Sequence, residues 1–305
     1  MTSIFDNILP IFFIMVASSI MKKKWLTSEE FWRNLEKLLY YILLPVTIFN
    51  SIAYTDFSKI QLKTLVLGLI LSSSIVIFFL MWYQRKFQMQ KEQFLSLLQG
   101  SFRYNNYMFL AVCSSIYGDE GFVISAAISG YMVIFCNTIS ISSFSIYLKE
   151  KAQNNFKLHF KRLLTNPLII ASIIGLIFNK IDMDFDFGLK KLLHILAESS
   201  LGMGIILVGG RLKMDFDAEN LRQIAFATVN KLIILPMITF IILEILDVGG
   251  ILKAIGVIYS CIPCATGTYI LVKEMKGDVD LMASIITSGT IISIIPLSIL
   301  TYILV

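Results

Sequence analysis

The sequence predicts an all-α integral membrane protein with ten transmembrane helices, arranged as two inverted repeats of five helices. Three observations predict this class. The 305 residues are 56% hydrophobic and only 15% charged, with a mean hydropathy of +0.77, whereas soluble domains carry about 25% charged residues. Apolar runs of about 20 residues, the length that spans a bilayer as a helix, recur along the whole chain. The two halves of the chain also match each other without gaps.

The apolar runs define ten predicted spans, numbered here 1 to 10 in chain order. They lie near residues 3–21, 33–54, 62–83, 93–117, 121–148, 163–180, 189–211, 220–246, 250–275 and 280–304. Of the 26 Lys and Arg residues, 18 lie at the odd-numbered connections and 6 at the even-numbered ones. Cytoplasmic loops are enriched in Lys and Arg. We therefore expect cytoplasmic odd-numbered connections, a cell (inner or plasma) membrane location and both termini outside the cytoplasm.

The repeat appears when the sequence is compared with itself at an offset of 159 residues. Gly118-Asp119 then matches Gly277-Asp278, and Ser129-Gly130 matches Ser288-Gly289. Residues 1–146 form the first repeat and 160–305 the second, with 147–159 as a cytoplasmic linker. Because five is an odd number, the second repeat must enter the membrane from the opposite side. Inverted repeats are typical of secondary transporters; chance identity between two apolar sequences is the alternative.

Spans 4 and 9 carry matched interruptions of the helix. Asn105 and Asn106 in span 4 align with Cys264 and Ala265 in span 9, which directly follow Pro263. Proline removes a backbone donor and breaks the helical ladder, and short Asn amides bond freed backbone groups. We expect the two broken helices to cross near the membrane centre. Their half-helix N-termini would offer partial positive charge and free N–H groups, which suit a carboxylate.

Polar residues around these interruptions are the predicted ligands of the substrate. A charged residue within a span is a functional candidate by default, and the guanidinium of Arg103 binds a carboxylate through two hydrogen bonds. The alternative is a structural arginine bonded to carbonyls or to Glu198. The predicted substrate-binding residues are Arg103, Asn105, Asn106, Asn50, Pro263, Ala265, Thr266 and Thr268.

Two further charges within the spans are predicted to have coupling or structural roles. Glu198 is either a proton-coupling carboxylate or the buried partner of a basic residue. Lys231 precedes Pro236 and is expected to contact carbonyls that the proline frees; a snorkelling lysine and a substrate contact are the alternatives. The Gly-rich stretch 202–210 is expected to allow close helix packing.

No cofactor or metal site is predicted. Cys261 and Cys264 have C-x-x-C spacing, but no second pair and no nearby His completes a zinc site. We expect these two residues, with Cys113 and Cys136, to be buried free thiols. No nucleophile–base set lies at membrane depth, so we do not expect an enzyme, and no basic patch with interleaved aromatic residues indicates a nucleic acid.

Four segments of the chain resemble the auxin efflux carrier family, and in particular its bacterial malate/malonate-permease-like branch. They read QGSFRYN (99–105), NPLIIASIIGLIFNK (166–180), KLIILPMITF (231–240) and PCATGTYILVKEMKGD (263–278). The resemblance implies a scaffold of helices 1, 2, 6 and 7, a mobile transport unit of helices 3–5 and 8–10, and broken helices 4 and 9. The family's Arg-x-Asn motif corresponds to Arg103 and Asn105. Many members carry a proline just after this Asn, and this chain does not.

The sequence therefore predicts a secondary active transporter of a small organic anion, a mono- or dicarboxylate, that works by elevator-type alternating access. The expected partners are the anion, a co-transported proton or sodium ion, the lipid bilayer and a second copy of the chain in a homodimer. The alternative is a membrane receptor or sensor that binds a small ligand without transporting it.

Overall fold

The computed structural model describes residues 4–54, 61–148, 165, 167–181, 187–212 and 220–304, and these residues form helices and no β-strand. The helices are α1 Ile4–Lys24, α2 Glu29–Leu38, α3 Leu44–Ala53, α4 Leu62–Phe87, α5 Lys91–Phe102, α6 Asn106–Leu148, α7 Pro167–Lys180, α8 Phe187–Arg211, α9 Leu221–Val229, α10 Leu235–Ile245, α11 Gly250–Cys261, α12 Thr268–Glu274, α13 Val279–Ile292 and α14 Ile294–Leu304. Residues 149–159 of the predicted linker lie outside the described part.

Several of these helices are long and apolar enough to cross a membrane. Within the described residues they are Glu29–Ala53, Leu62–Phe87, Lys91–Phe144, Gly188–Arg211 and Leu221–Ile245, and the pair α13 and α14, bent by 44°, adds a sixth when counted as one span. The segment Lys91–Phe144 has 54 residues, more than twice the length of one crossing. It is interrupted after Phe102 and again at Gly118, where φ is +60°. The protein is therefore a multi-pass, all-α membrane protein.

Two wide helical turns lie just before prolines. Leu39–Leu43 and Asn230–Ile234 are π-helical, and Pro45 and Pro236 follow them in the first turns of α3 and α10. A proline ring displaces the carbonyl four residues before it, and the wider turn accommodates this displacement. Such π turns within helices are frequent at functional sites. Lys231 lies on the second one.

The helices group into two compact units. The first unit contains α1 to α3, α6 up to Ile134, α7 and α8; the second contains α4, α5, α6 from Phe135 onward, and α9 to α14. Within the first unit, α1 packs along α8, and α3 packs along α7 and α8. Within the second, α5 packs against α9 and α13, while α11 packs against α10 and α14.

Glycines of α8 allow close packing in the first unit, as the Gly-rich stretch predicts. A Cβ atom on Gly209 would lie 2.2 Å from the carbonyl oxygen of Met15 in α1. A Cβ on Gly204 would lie 2.4 Å from the ring of Tyr107. At Gly202 no atom lies within 4 Å of the added Cβ, so this glycine is not required by packing within the described chain.

An apolar groove of about 920 Å³ lies in the second unit. It is lined mainly by residues of α9, α10 and α14, together with Val257 of α11 and Ser288 and Ile292 of α13. Thr228 is one of its few polar lining residues, and the Thr228 hydroxyl makes no hydrogen bond with the described residues.

Candidate functional site

The helix of span 4 is interrupted at Arg103–Asn105. α5 ends at Phe102, Arg103 is extended (φ −69°, ψ 155°), and α6 begins at Asn106. The predicted interruption is thus present, but it starts two residues earlier than expected and Asn106 is already helical. No proline causes it. Instead, the Asn105 N–H leaves the helical ladder and donates to the carbonyl oxygen of Pro263 at 2.8 Å.

The helix of span 9 is interrupted at the predicted proline. α11 ends at Cys261, and Ile262 is extended (φ −66°, ψ 129°), as expected for a residue before proline. The chain becomes helical again at Thr268. We expected free N–H groups at this point, but the Thr268 and Tyr269 amides donate to the carbonyls of Ala265 and Thr266 at 3.1 and 3.2 Å. The start of α12 therefore does not offer these two donors to a ligand.

The two interruptions contact each other within the second unit. Besides the bond between Asn105 and Pro263, the Cys264 thiol lies 3.6 Å from the carbonyl oxygen of Gln99. The rings of Tyr104 and Tyr259 pack with centroids 4.4 Å apart. The broken segments of spans 4 and 9 are therefore held together by one backbone hydrogen bond and by side chains on both sides of it.

Arg103 is held by neutral side chains of α6. Its Nη1 donates to the Ser140 hydroxyl at 2.7 Å, and Nη1 and Nη2 both lie 3.3 Å from Oδ1 of Asn137. In the described part of the chain, Arg103 forms no ion pair, and no Asp or Glu side chain is buried. The structural alternative for Arg103 named backbone carbonyls or Glu198 as its partners, whereas the partners observed are the side chains of Asn137 and Ser140.

One edge of the Arg103 guanidinium carries no hydrogen bond to the described residues. Asn137 bridges Nη1 and Nη2 and Ser140 binds Nη1, whereas the enclosed Nε–H has no acceptor. Nε and the outer hydrogen of Nη2 point in parallel, which is the geometry that binds both oxygens of a carboxylate. The Nε–Nη2 edge of Arg103 is thus available to bind an anion.

Lys231 is a second cation in the same unit, and it is buried, whereas Arg103 is half-buried. Its side chain is 2% exposed, and its Nζ donates no hydrogen bond to the described residues. The expected contact with carbonyls near Pro236 is therefore absent, and the burial of Lys231 excludes snorkelling. Nζ lies 5.6 Å from the ring centroid of Tyr259.

The other predicted ligands in the second unit differ in exposure. Ala265 and Thr266 are half-buried, and Thr268 is fully buried. The hydroxyl oxygen of Thr268 lies 3.5 Å from the Cys264 thiol, so Thr268 contacts the broken segment itself. Thr266 is the more accessible of the two threonines.

Three predicted residues belong to the first unit. Asn50 and Asn106 are half-buried, and neither amide atom of Asn106 finds a partner among the described residues. Glu198 is not buried as expected: its side chain is 66% exposed and pairs with His194, one helical turn away, at 3.3 Å. The alternative in which Glu198 is the buried partner of a basic residue is therefore wrong, and its proton-coupling role stays a prediction.

The four cysteines are buried and free, as the sequence predicts. Cys261 and Cys264 form no disulfide, and no group of His, Cys, Asp and Glu in the described residues is arranged to hold a metal ion.

Sequence reasoning missed the residues that hold Arg103. Asn137, Ser140 and Ser143 occur every three residues in span 5, so they share one helical face. Gln99 faces this row from α5, with Ser140 2.6 Å from its side-chain oxygen. A search for polar residues at helical spacing within span 5 would have found this row.

Known proteins resemble the chain, over nearly its whole length or over about half of it. The membrane transport protein family, which includes the auxin efflux carriers, matches residues 3–301. An uncharacterized transporter of Methanothermobacter thermautotrophicus is 22% identical over 297 residues, which cover 96% of this chain and 95% of that protein. The lysosomal cholesterol signaling protein of Mus musculus is 29% identical over 160 residues, 48% of this chain and 18% of that protein. The chain therefore belongs to the membrane transport protein family, the auxin efflux carrier family that its motifs indicate.

Proposed function

We propose that the protein is a secondary active transporter of a small organic anion, a mono- or dicarboxylate. The observation that carries this proposal is the Nε–Nη2 edge of Arg103, which has no acceptor among the described residues and lies beside the contact between the two broken helices. Transporters bind their substrates at discontinuous helices near the middle of the membrane, and the family supports transport in general.

The charges of the second unit favour an anion. Arg103 and Lys231 are both cationic, and no described carboxylate in this unit is buried to balance them. A carboxylate on the Nε–Nη2 edge would satisfy Arg103, and Asn105 and Thr266 stay predicted hydrogen-bonding residues, as do Asn50 and Asn106 in the first unit.

We further propose that the ten apolar segments are ten spans in two inverted repeats, with both termini outside. Length and composition already support the spans other than 1, 6 and 9. Spans 1, 6 and 9 would be formed by α1, by α7 and by the pair α11 and α12. The grouping of helices supports an elevator-like movement. One unit holds predicted spans 1, 2, 6 and 7, and the other holds spans 3, 8, 9 and 10. Spans 4 and 5 are divided between the units, unlike the expected transport unit.

Counterflow in proteoliposomes tests the proposed function. Vesicles with wild-type protein are preloaded with unlabelled malonate or acetate and diluted into the same anion in labelled form, with empty vesicles as the control. The proposal predicts saturable accumulation of label for at least one carboxylate. Imposed proton and sodium gradients then show which ion is coupled. Absence of accumulation for a panel of mono- and dicarboxylates would contradict the proposal.

A receptor or sensor is the second candidate function, and the likeness to the lysosomal cholesterol signaling protein favours it. The apolar groove of about 920 Å³ in the second unit is a surface that suits a sterol-like ligand. Saturable binding of a sterol, together with absence of carboxylate counterflow, would favour this candidate over transport.

A further inference from the structure

We propose that Asn137 and Ser140 are positioning residues, which orient the Arg103 guanidinium through neutral groups and thereby leave its positive charge available to the anion. This inference rests on the proposed function, because the anion is its ligand. The sequence motifs of spans 4 and 9 assign no role to these two residues.

The geometry fixes the guanidinium in one orientation. Asn137 Oδ1 lies 3.3 Å from both Nη1 and Nη2, and Ser140 Oγ lies 2.7 Å from Nη1. Both acceptors come from one face of α6, one turn apart. They leave the Nε–Nη2 edge of Arg103 as the side that a ligand can use.

The Ser140 hydroxyl is itself held as an acceptor toward Arg103. Its oxygen lies 2.6 Å from Oε1 of Gln99 and 2.6 Å from the carbonyl oxygen of Cys136. Neither oxygen can donate, so the single hydroxyl proton must point to one of them. The lone pairs of Ser140 therefore stay directed at Nη1. Gln99 in turn donates to Ser143 at 3.4 Å, which extends the neutral network along the same face.

The neutral character of this network matters for the charge of the site. An arginine that is partly removed from water is commonly paired with a carboxylate, because an unpaired charge is costly to desolvate. A carboxylate at position 137 would compete with the substrate carboxylate for the same guanidinium. Asn137 has the shape of an aspartate without its charge, so it orients Arg103 and does not neutralise it.

The substitution Asn137→Asp tests this inference, since it changes one charge and almost no volume. We expect the apparent affinity for labelled malonate or acetate, whichever the wild type binds, to fall at least tenfold. We also expect the ligand-free variant to melt at the same temperature as the wild type or higher, because the new carboxylate pairs with Arg103. If Asn137 had a purely structural role, anion binding would instead be preserved, because the aspartate would hold Arg103 more tightly.

Two variants serve as controls. Gln93→Glu adds the same charge to a partly buried position of α5 whose side chain contacts Asn220, and should leave the affinity within about twofold. Asn137→Ala removes the acceptor without adding charge, and should lower the melting temperature. If Asn137→Asp binds the anion as the wild type does, or melts as low as Asn137→Ala, the inference is wrong. If the wild type binds no carboxylate, the proposed function fails instead, and the melting temperatures still report the pairing with Arg103.

Discussion

Replacing Lys231 by Met should stabilise the ligand-free protein. The lysine is 2% exposed and its Nζ has no acceptor among the described residues. The cation–π contact with Tyr259 at 5.6 Å contributes about 0.5–2 kcal/mol, whereas leaving a charge buried and unpaired costs several kcal/mol. Met has a similar length and no charge. Replacing buried charges with apolar residues is commonly neutral or stabilising by about 1–4 kcal/mol, so the apparent melting temperature should rise by several degrees.

Thermal unfolding in the same detergent measures this effect without any ligand. The matched control is Lys253→Met, because Lys253 contacts both an aromatic ring, that of Phe240, and a carboxylate, that of Glu244. A pair with an exposed carboxylate such as Glu244 contributes at most about 1 kcal/mol, so we expect a change of no more than a degree or two. A fall in melting temperature for Lys231→Met larger than that for Lys253→Met would refute the reasoning, because it would mean that the ammonium has a stabilising partner.

Three further predictions concern packing, capping and the thiols. Gly204→Ala should destabilise the protein by about 1–3 kcal/mol, because its Cβ would overlap Tyr107. Gly202→Ala should be neutral or slightly stabilising. Melting curves that do not separate these two variants would contradict the packing. Asn179→Ala should cost about 1 kcal/mol, since its amide donates to two carbonyls at the end of α3 at 3.1 and 3.2 Å, and chemical or thermal unfolding measures this. The four cysteines should resist a membrane-impermeant maleimide in the folded protein and react after denaturation; fast labelling of the native protein would show that one of them is accessible.

The sequence allowed the all-α membrane class and the interruption at Pro263 to be predicted, because each depends on local chemistry. Apolar length predicts a span, and Pro263 ends α11 wherever it lies. The interruption in span 4 was predicted through its match to span 9. Its position was wrong by two residues, because it is set by the hydrogen bond from Asn105 to Pro263 and not by a local breaker.

Side-chain partners were harder to predict than breaks in the helices. Arg103 was recognised as the important charge, but its partners Asn137 and Ser140 are more than 30 residues away in sequence and carry no charge that would attract notice. Glu198 was expected to be buried because it lies in the middle of a span. Which side of a helix faces other helices depends on packing, and α8 turns Glu198 outward.

The most direct test of the proposed mechanism is the initial rate of carboxylate counterflow by Arg103→Ala relative to the wild type, at equal amounts of incorporated protein. The exposed Arg222 supplies the control variant, Arg222→Ala. We predict that Arg103→Ala lowers the rate at subsaturating anion at least tenfold and that Arg222→Ala transports as the wild type does. Equal rates for Arg103→Ala and the wild type would contradict the assignment of Arg103 as the anion-binding group.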